Sequence, residues 1–82
     1  MPRIERRANF RRRFRKLEPD RRWAVERALR RLAVNPREPR LRTHKLGGAR
    51  WACSYSADGR IVFGWHEGVV VLLDVGTHDD VY

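Results

Sequence analysis

Apolar positions follow two different periods along the chain. Phe10, Phe14 and Leu17 recur at helical spacing, and so do Val25, Ala28, Leu29 and Leu32. Each set makes one stripe on an amphipathic helix. Asn9 is the expected N-cap of the first helix. The second opens at Pro19-Asp20, either with Glu18 as cap and Pro19 at the first helical position or with Asp20 as cap. Asn35-Pro36 stops it, because the residue before a proline is pushed out of the helical region. Arg22–Glu26 and Glu26–Arg30 have the spacing of ion pairs on its outer face. A tight connection over Glu18–Asp20 makes the two helices an antiparallel hairpin.

From Trp51 onward the pattern changes to that of strands. Trp51–Ser56, Arg60–Trp65 and Val69–Val75 are rich in Val, Ile, Phe and Trp, and turn residues separate them. Residues 2–8 form a short charged stretch suited to an edge strand, and residues 36–50 read as a loop. The expected fold class is therefore α+β: a short N-terminal strand, a two-helix hairpin, then a three-stranded antiparallel sheet. The hairpin covers one sheet face and leaves the other open and concave. Val69–Val75 is apolar on both faces, which places it centrally.

Turn lengths fix which side chains share a face. A two-residue turn at Asp58-Gly59 sets Tyr55 opposite Val62, with Trp51, Cys53 and Tyr55 on the face of Arg60. A two-residue turn at Glu67-Gly68 would then direct Asp74 into the core. An unpaired buried carboxylate is costly, so the expectation is a three-residue loop, His66–Gly68, and an Arg60–Asp74 pair. In such a meander His44 reaches the end of the last strand only if the 44–50 loop folds back.

Charge changes the picture next. The chain of 82 residues has a formal net charge of +9. Residues 1–42 hold 16 basic and five acidic groups, whereas residues 43–82 hold three basic and five acidic ones. An arginine-dominated half points to an acidic or phosphate-rich partner. The longest apolar run, Val69–Leu73, is far shorter than the roughly 20 residues that span a bilayer. An arginine-rich start with no apolar stretch behind it lacks the signal-peptide pattern. A lone Cys53 allows neither a disulfide framework nor a cysteine zinc cluster within one chain. These features together predict a cytoplasmic protein of one domain over 1–82, with no metal, no cofactor and no membrane partner.

The segments His44-Lys45-Leu46-Gly47-Gly48, Trp51–Ser54, Arg60–Phe63 and Leu72–Tyr82 resemble toxins of the RelE/ParE superfamily. The likeness is greatest to the YafQ-like, RelE/StbE branch of type II toxin–antitoxin systems. It runs along the whole chain, and Gly76-Thr77-His78-Asp79-Asp80-Val81-Tyr82 is its most specific part. The resemblance implies a metal-independent mRNA interferase that enters the ribosomal A site. Its partners would be mRNA, ribosomal RNA and a neutralising antitoxin, with operator DNA reached only through the antitoxin. In such an enzyme the ribose 2′-hydroxyl attacks the adjacent phosphate and the 5′-oxygen leaves. This needs a base, an acid and cations for the phosphorane. Histidine suits the first two tasks near neutral pH, and arginine suits the third.

Carried over by motif, His78 and His44 are the candidate acid and base. Arg60 is the phosphate-stabilising cation, and Tyr82 the terminal aromatic that stacks on a base or donates a hydrogen bond. Lys45, Arg50, Arg12 and Arg13 are the candidate RNA contacts. The sequence departs from the branch's pattern at Tyr55, Gly59 and Asp74, and so has fewer site cations. Two alternatives stay open: a ParE-like, gyrase-inhibiting toxin without nuclease activity, and a degenerate toxin that only binds its antitoxin. His66 reads as exposed, Cys53 as a small filler, and Trp51 and Trp65 as packing residues.

Overall fold

The computed structural model describes residues 3–82. Strand β1 (Arg3–Arg6) is followed by helices α1 (Ala8–Arg15) and α2 (Pro19–Val34). A 3₁₀ turn over Pro39–Leu41 leads into β2 (His44–Gly47), β3 (Arg50–Ser54), β4 (Gly59–His66), β5 (Val69–Thr77) and a last helical turn, α3 (His78–Val81). The sheet order is β1-β5-β4-β3-β2, with β1 parallel to β5 and the other pairs antiparallel. The α+β class and element order follow the sequence pattern, but the sheet has five strands. One extra strand comes from the segment expected to be loop: β2 pairs its His44 with Ala52. The other is the N-terminal strand, which joins the same sheet beside β5; Pro2 of the expected 2–8 strand lies outside the described residues.

Both helical stripes bury where expected. Phe10, Val25, Leu29 and Leu32 pack with Leu41, Cys53, Ile61, Phe63, Val70, Leu72 and Val75 in one core, each 5% exposed or less. Burial of such side chains is worth about 1.5–3 kcal/mol each. Pro19 occupies the first turn of α2 behind Glu18, and Asn35 ends the helix in extended geometry before Pro36. Asn9 is not a cap. Helix α1 starts two residues earlier, behind Arg7, with no side-chain cap bond. Beyond Leu72 the edge of β5 has no strand partner, and Asn9 Nδ2 donates to the Leu73 carbonyl there at 3.0 Å. The expected pairs of Glu26 within α2 are also replaced. Glu26 accepts from Arg6 of β1 at 2.8 Å, and the Arg6 guanidinium lies over the Phe10 and Phe14 rings.

Two turns differ from expectation, and each reassigns a face. The β3–β4 register pairs Ser54 with Arg60 and Cys53 with Ile61, so the connection is longer than two residues and Gly59 already belongs to the strand. Trp51, Cys53 and Tyr55 therefore face the helices, while Ala52 shares the opposite face with Val62. The connection is held by Arg21 of α2, which donates to Asp58 at 3.1 Å and to the Tyr55 hydroxyl at 3.2 Å. That contact keeps the Asp58 carboxyl below the usual carboxylate range.

The β4–β5 connection is the two-residue one, with Glu67 and Gly68 both at positive φ. This is the mirror-image turn that suits a twisted hairpin. Asp74 still does not point unpaired into the core, because β5 carries an extra residue. Phe63 pairs with Leu72 but Val62 pairs with Asp74, which is a bulge. The Asp74 partner is not Arg60. Both carboxylate oxygens accept from Arg13 Nη1, at 2.9 and 3.0 Å. A double-mutant cycle on stability should give a coupling of about 1–2 kcal/mol for Arg13 with Asp74. The same cycle on Arg60 and Asp74 should give a value near zero, and a larger value there would contradict the assigned pairing.

Candidate active site

The face away from α1 and α2 is not fully open. Ala52 and Val62 lie on it and are buried, although neither belongs to the helix-side core. What closes it is the end of the chain. Thr77 caps α3 by a reciprocal box: its hydroxyl accepts from the Asp80 N–H at 3.2 Å, and Asp80 Oδ2 accepts from the Thr77 N–H at 3.0 Å. Those bonds, with Arg13 nearby, hold the Asp80 carboxyl below its ordinary value. The His78 N–H donates to the Asp58 carbonyl at 2.7 Å, which fixes the start of α3 beside the β3–β4 connection. Gly76 permits the tight return, since a Cβ there would stand 2.8 Å from that of Asp80.

The return carries Tyr82 across the sheet. Its hydroxyl lies 3.2 Å from His44 Nε2, and its ring meets the His78 ring edge-on with centroids 4.4 Å apart. His44 is thus brought to His78 through Tyr82. The 44–50 segment does not fold back over the sheet. It runs as an edge strand, and the tyrosine spans the gap.

The hydrogen bonds define the chemistry of this group. His44 Nδ1 is 3.0 Å from the Arg42 carbonyl. A carbonyl only accepts, so Nδ1 carries the proton. In the neutral ring Nε2 then holds a lone pair, which accepts from the tyrosine hydroxyl. Burial raises the Tyr82 pKa above its ordinary value, against the opposing pull of the Arg60 guanidinium. The phenol therefore stays protonated near neutral pH and acts as a donor, not as a base. His78 is half exposed at its side chain, with Asp79 Oδ1 at 3.7 Å from Nδ1.

Arg60 joins the group beside Tyr82. Its Nη1 donates to the carbonyls of Gly59, Ala57 and Ser56 at 2.9, 3.1 and 3.4 Å. One nitrogen bears all these contacts, and the guanidinium also acts on the Tyr82 hydroxyl. The other candidates disperse. Arg50 is exposed on β3 opposite Gly64, and Lys45 is exposed opposite Trp51, on the helix side of the sheet. Arg12 bonds Asn9 at 2.7 Å, and Arg13 is held by Asp74. Trp51 and Trp65 pack edge-to-face at 5.8 Å beneath Arg37. Burial raises the Cys53 thiol to about 12 and leaves it inert. His66 is exposed at the hairpin end. Tyr55 and Asp74, two of the positions that depart from the pattern, bond to helix arginines and not to this group. Arg42 was not selected by the sequence pattern. Its part is played by a backbone carbonyl, which no residue type announces.

No protein-family model and no curated protein sequence matches the chain. Solved structures do match its fold. YafQ from E. coli superposes with a TM-score of 0.78 at 16% identity, covering 100% of this chain and 99% of that one. A chain of the intact E. coli RelBE toxin–antitoxin complex gives 0.76 at 16% identity, over 94% and 96%. The YoeB/ParE toxin from Agrobacterium tumefaciens gives 0.73 at 12% identity, over 93% and 98%.

The Tyr82 assignment is open to titration. Ultraviolet absorbance should show a tyrosine, absent in Tyr82→Phe, ionising above the ordinary value near 10. Because Arg60 favours the phenolate, Arg60→Ala should move that midpoint further up. A downward move would contradict the placement of Arg60 beside the ring.

Proposed function

We propose that this chain, which has the fold of the RelE/ParE superfamily toxins, is the toxin of a type II toxin–antitoxin system, acting as a ribosome-dependent mRNA interferase. The observation that carries this reading is the His44–Tyr82–His78 group with Arg60 beside it. In-line transphosphorylation needs a proton acceptor at the 2′-oxygen, a donor at the 5′-oxygen, and a cation at the phosphate between them. His44 offers an Nε2 lone pair and a tautomer fixed by the Arg42 carbonyl, so it is the base. RNA entering the site displaces the Tyr82 hydroxyl from it. His78, half exposed on the other side of the same ring, is the acid. The 2′-oxygen bonds to phosphorus as its proton passes to His44. The bond from phosphorus to the 5′-oxygen breaks as that oxygen takes a proton from His78. A 2′,3′-cyclic phosphate and a 5′-hydroxyl result. Arg60 stabilises the extra charge on the phosphorane with its guanidinium. Tyr82 positions the strand by stacking on a base or by donating a hydrogen bond.

The surroundings fit a docking role for the helices. Most of the basic half of the chain lies on α1 and α2, on the other side of the sheet from the cluster, while Arg42 of the connection adjoins His44. There it serves contact with ribosomal RNA at the A site or with an acidic antitoxin in the cytoplasm. The YafQ, RelBE and YoeB/ParE likenesses support the toxin reading at the level of fold.

The test is expression with transcript-end mapping, alongside cleavage of a translated message by purified chain and ribosomes. His44→Ala and His78→Ala should each lower cleavage about 10²–10⁴-fold. Arg60→Ala should lower it about 10²–10³-fold, and Tyr82→Phe less than any of these. Growth arrest with intact messages and inhibited gyrase would replace this reading with the ParE-like one. Antitoxin binding with neither effect would leave a degenerate toxin.

A further inference from the structure

A polar cleft of about 310 Å³ opens between α2, the 3₁₀ turn and the end of β3. Arg31 of α2, Arg40 and Arg42 around the 3₁₀ turn, and Ser54, Tyr55 and Ser56 at the end of β3 line it. Its charge is only partly compensated. Arg40 donates to Glu38 at 2.7 Å, and Asp58 beyond Ser56 is taken up by Arg21. Arg31 and Arg42 form no ion pair among the described residues, and the Ser56 hydroxyl is taken up by Asp58 and the Gly59 N–H, which leaves two guanidinium groups and the Ser54 hydroxyl around one opening. That donor set matches the oxygens of a phosphate and offers nothing to a cation.

Two bonds tie this cleft to the site. Arg42 is in left-handed geometry, at φ 51°, with its side chain on the cleft. Its carbonyl accepts the His44 Nδ1 proton. On the opposite wall, the carbonyls of Ser56 and Ala57 are those that Arg60 binds. The residues that line the cleft thus also supply the carbonyls that hold His44 and Arg60. We propose that the cleft binds a phosphodiester of the RNA strand next to the bond that is cut, with Arg31 and Arg42 as its ligands. The choice of RNA as occupant rests on the nuclease reading; the anion site itself does not.

The test uses a 2′-O-methyl oligoribonucleotide, which binds but cannot be cleaved, with affinity measured against salt. Arg31→Gln combined with Arg42→Gln should reduce the slope of log K on log salt by about 0.7, the loss of one single-strand phosphate contact. Arg27→Gln with Arg30→Gln removes the same charge from the outer, docking face of the same helix and should lower that slope less than the first pair does. Equal losses in both pairs, or no loss in the first, would overturn the cleft. Should the first pair fail to fold, inorganic phosphate added to the unsubstituted chain supplies the answer by NMR. The Nε–H signals of Arg31 and Arg42 should move before those of Arg27 and Arg30, and simultaneous movement would sink the proposal. Normal binding by a chain that cuts nothing would count against the histidine assignments while supporting the cleft.

Discussion

Leu72 and Val75 both face the helix-side core, three residues apart in one strand. An unbroken strand alternates faces every residue and cannot do this. The bulge in β5 resolves the conflict, and much of the remaining structure depends on it. It lets the two-residue turn at Glu67-Gly68 coexist with a fully apolar core. It leaves Asp74 where Arg13 reaches both carboxylate oxygens, so α1 is locked to the strand. It also sets Thr77 opposite Gly59, so that α3 starts beside the Asp58 carbonyl. From that point a single helical turn delivers Tyr82 to His44. One added residue thus governs packing on one face of the sheet and chemistry on the other.

The arginines divide by task in a way that net charge conceals. Arg6, Arg13 and Arg21 are each spent on a carboxylate that ties a helix or the first strand to the sheet. The more exposed Arg21 pair contributes little by itself and the partly buried Arg13 pair more, yet each of the three joins elements far apart in sequence. Arg60 braces a connection through carbonyls and acts on Tyr82. Arg27 and Arg30 flank the Trp23 ring, which is 56% exposed on the outer face of α2. Positive charge is therefore spread over three settings: structural clips, a helix surface, and the neighbourhood of the histidines.

Much of the fold was legible because apolar spacing reports packing directly. The stripes Phe10–Leu17 and Val25–Leu32 specified both helices, and the aromatic and β-branched runs specified β3, β4 and β5. His44, His78 and Tyr82 came from motif resemblance, and the structure brings all three together. What stayed hidden depends on register and on long-range partners. His44–Gly47 is exposed along its length and lacks apolar alternation, so nothing marked it as a strand. A turn rule placed Asp74 against Arg60 because a bulge leaves no local signature, and the true partner lies 61 residues away. Asn9 has the chemistry of a cap, but an uncovered sheet edge uses it instead.

The parallel pairing of β1 with β5 has a consequence for the order of assembly. The first strand has no partner in the sheet until nearly all the other elements have emerged. The helical stripes likewise wait for β4 and β5 to cover them. Closing a loop of that span costs entropy before any contact repays it, so folding should be slow for a chain of this length. Tyr82 docks on surfaces that exist only after β3, β4 and β5 are in register. The histidine–tyrosine group is thus among the last features to form, after the sheet that carries it is complete.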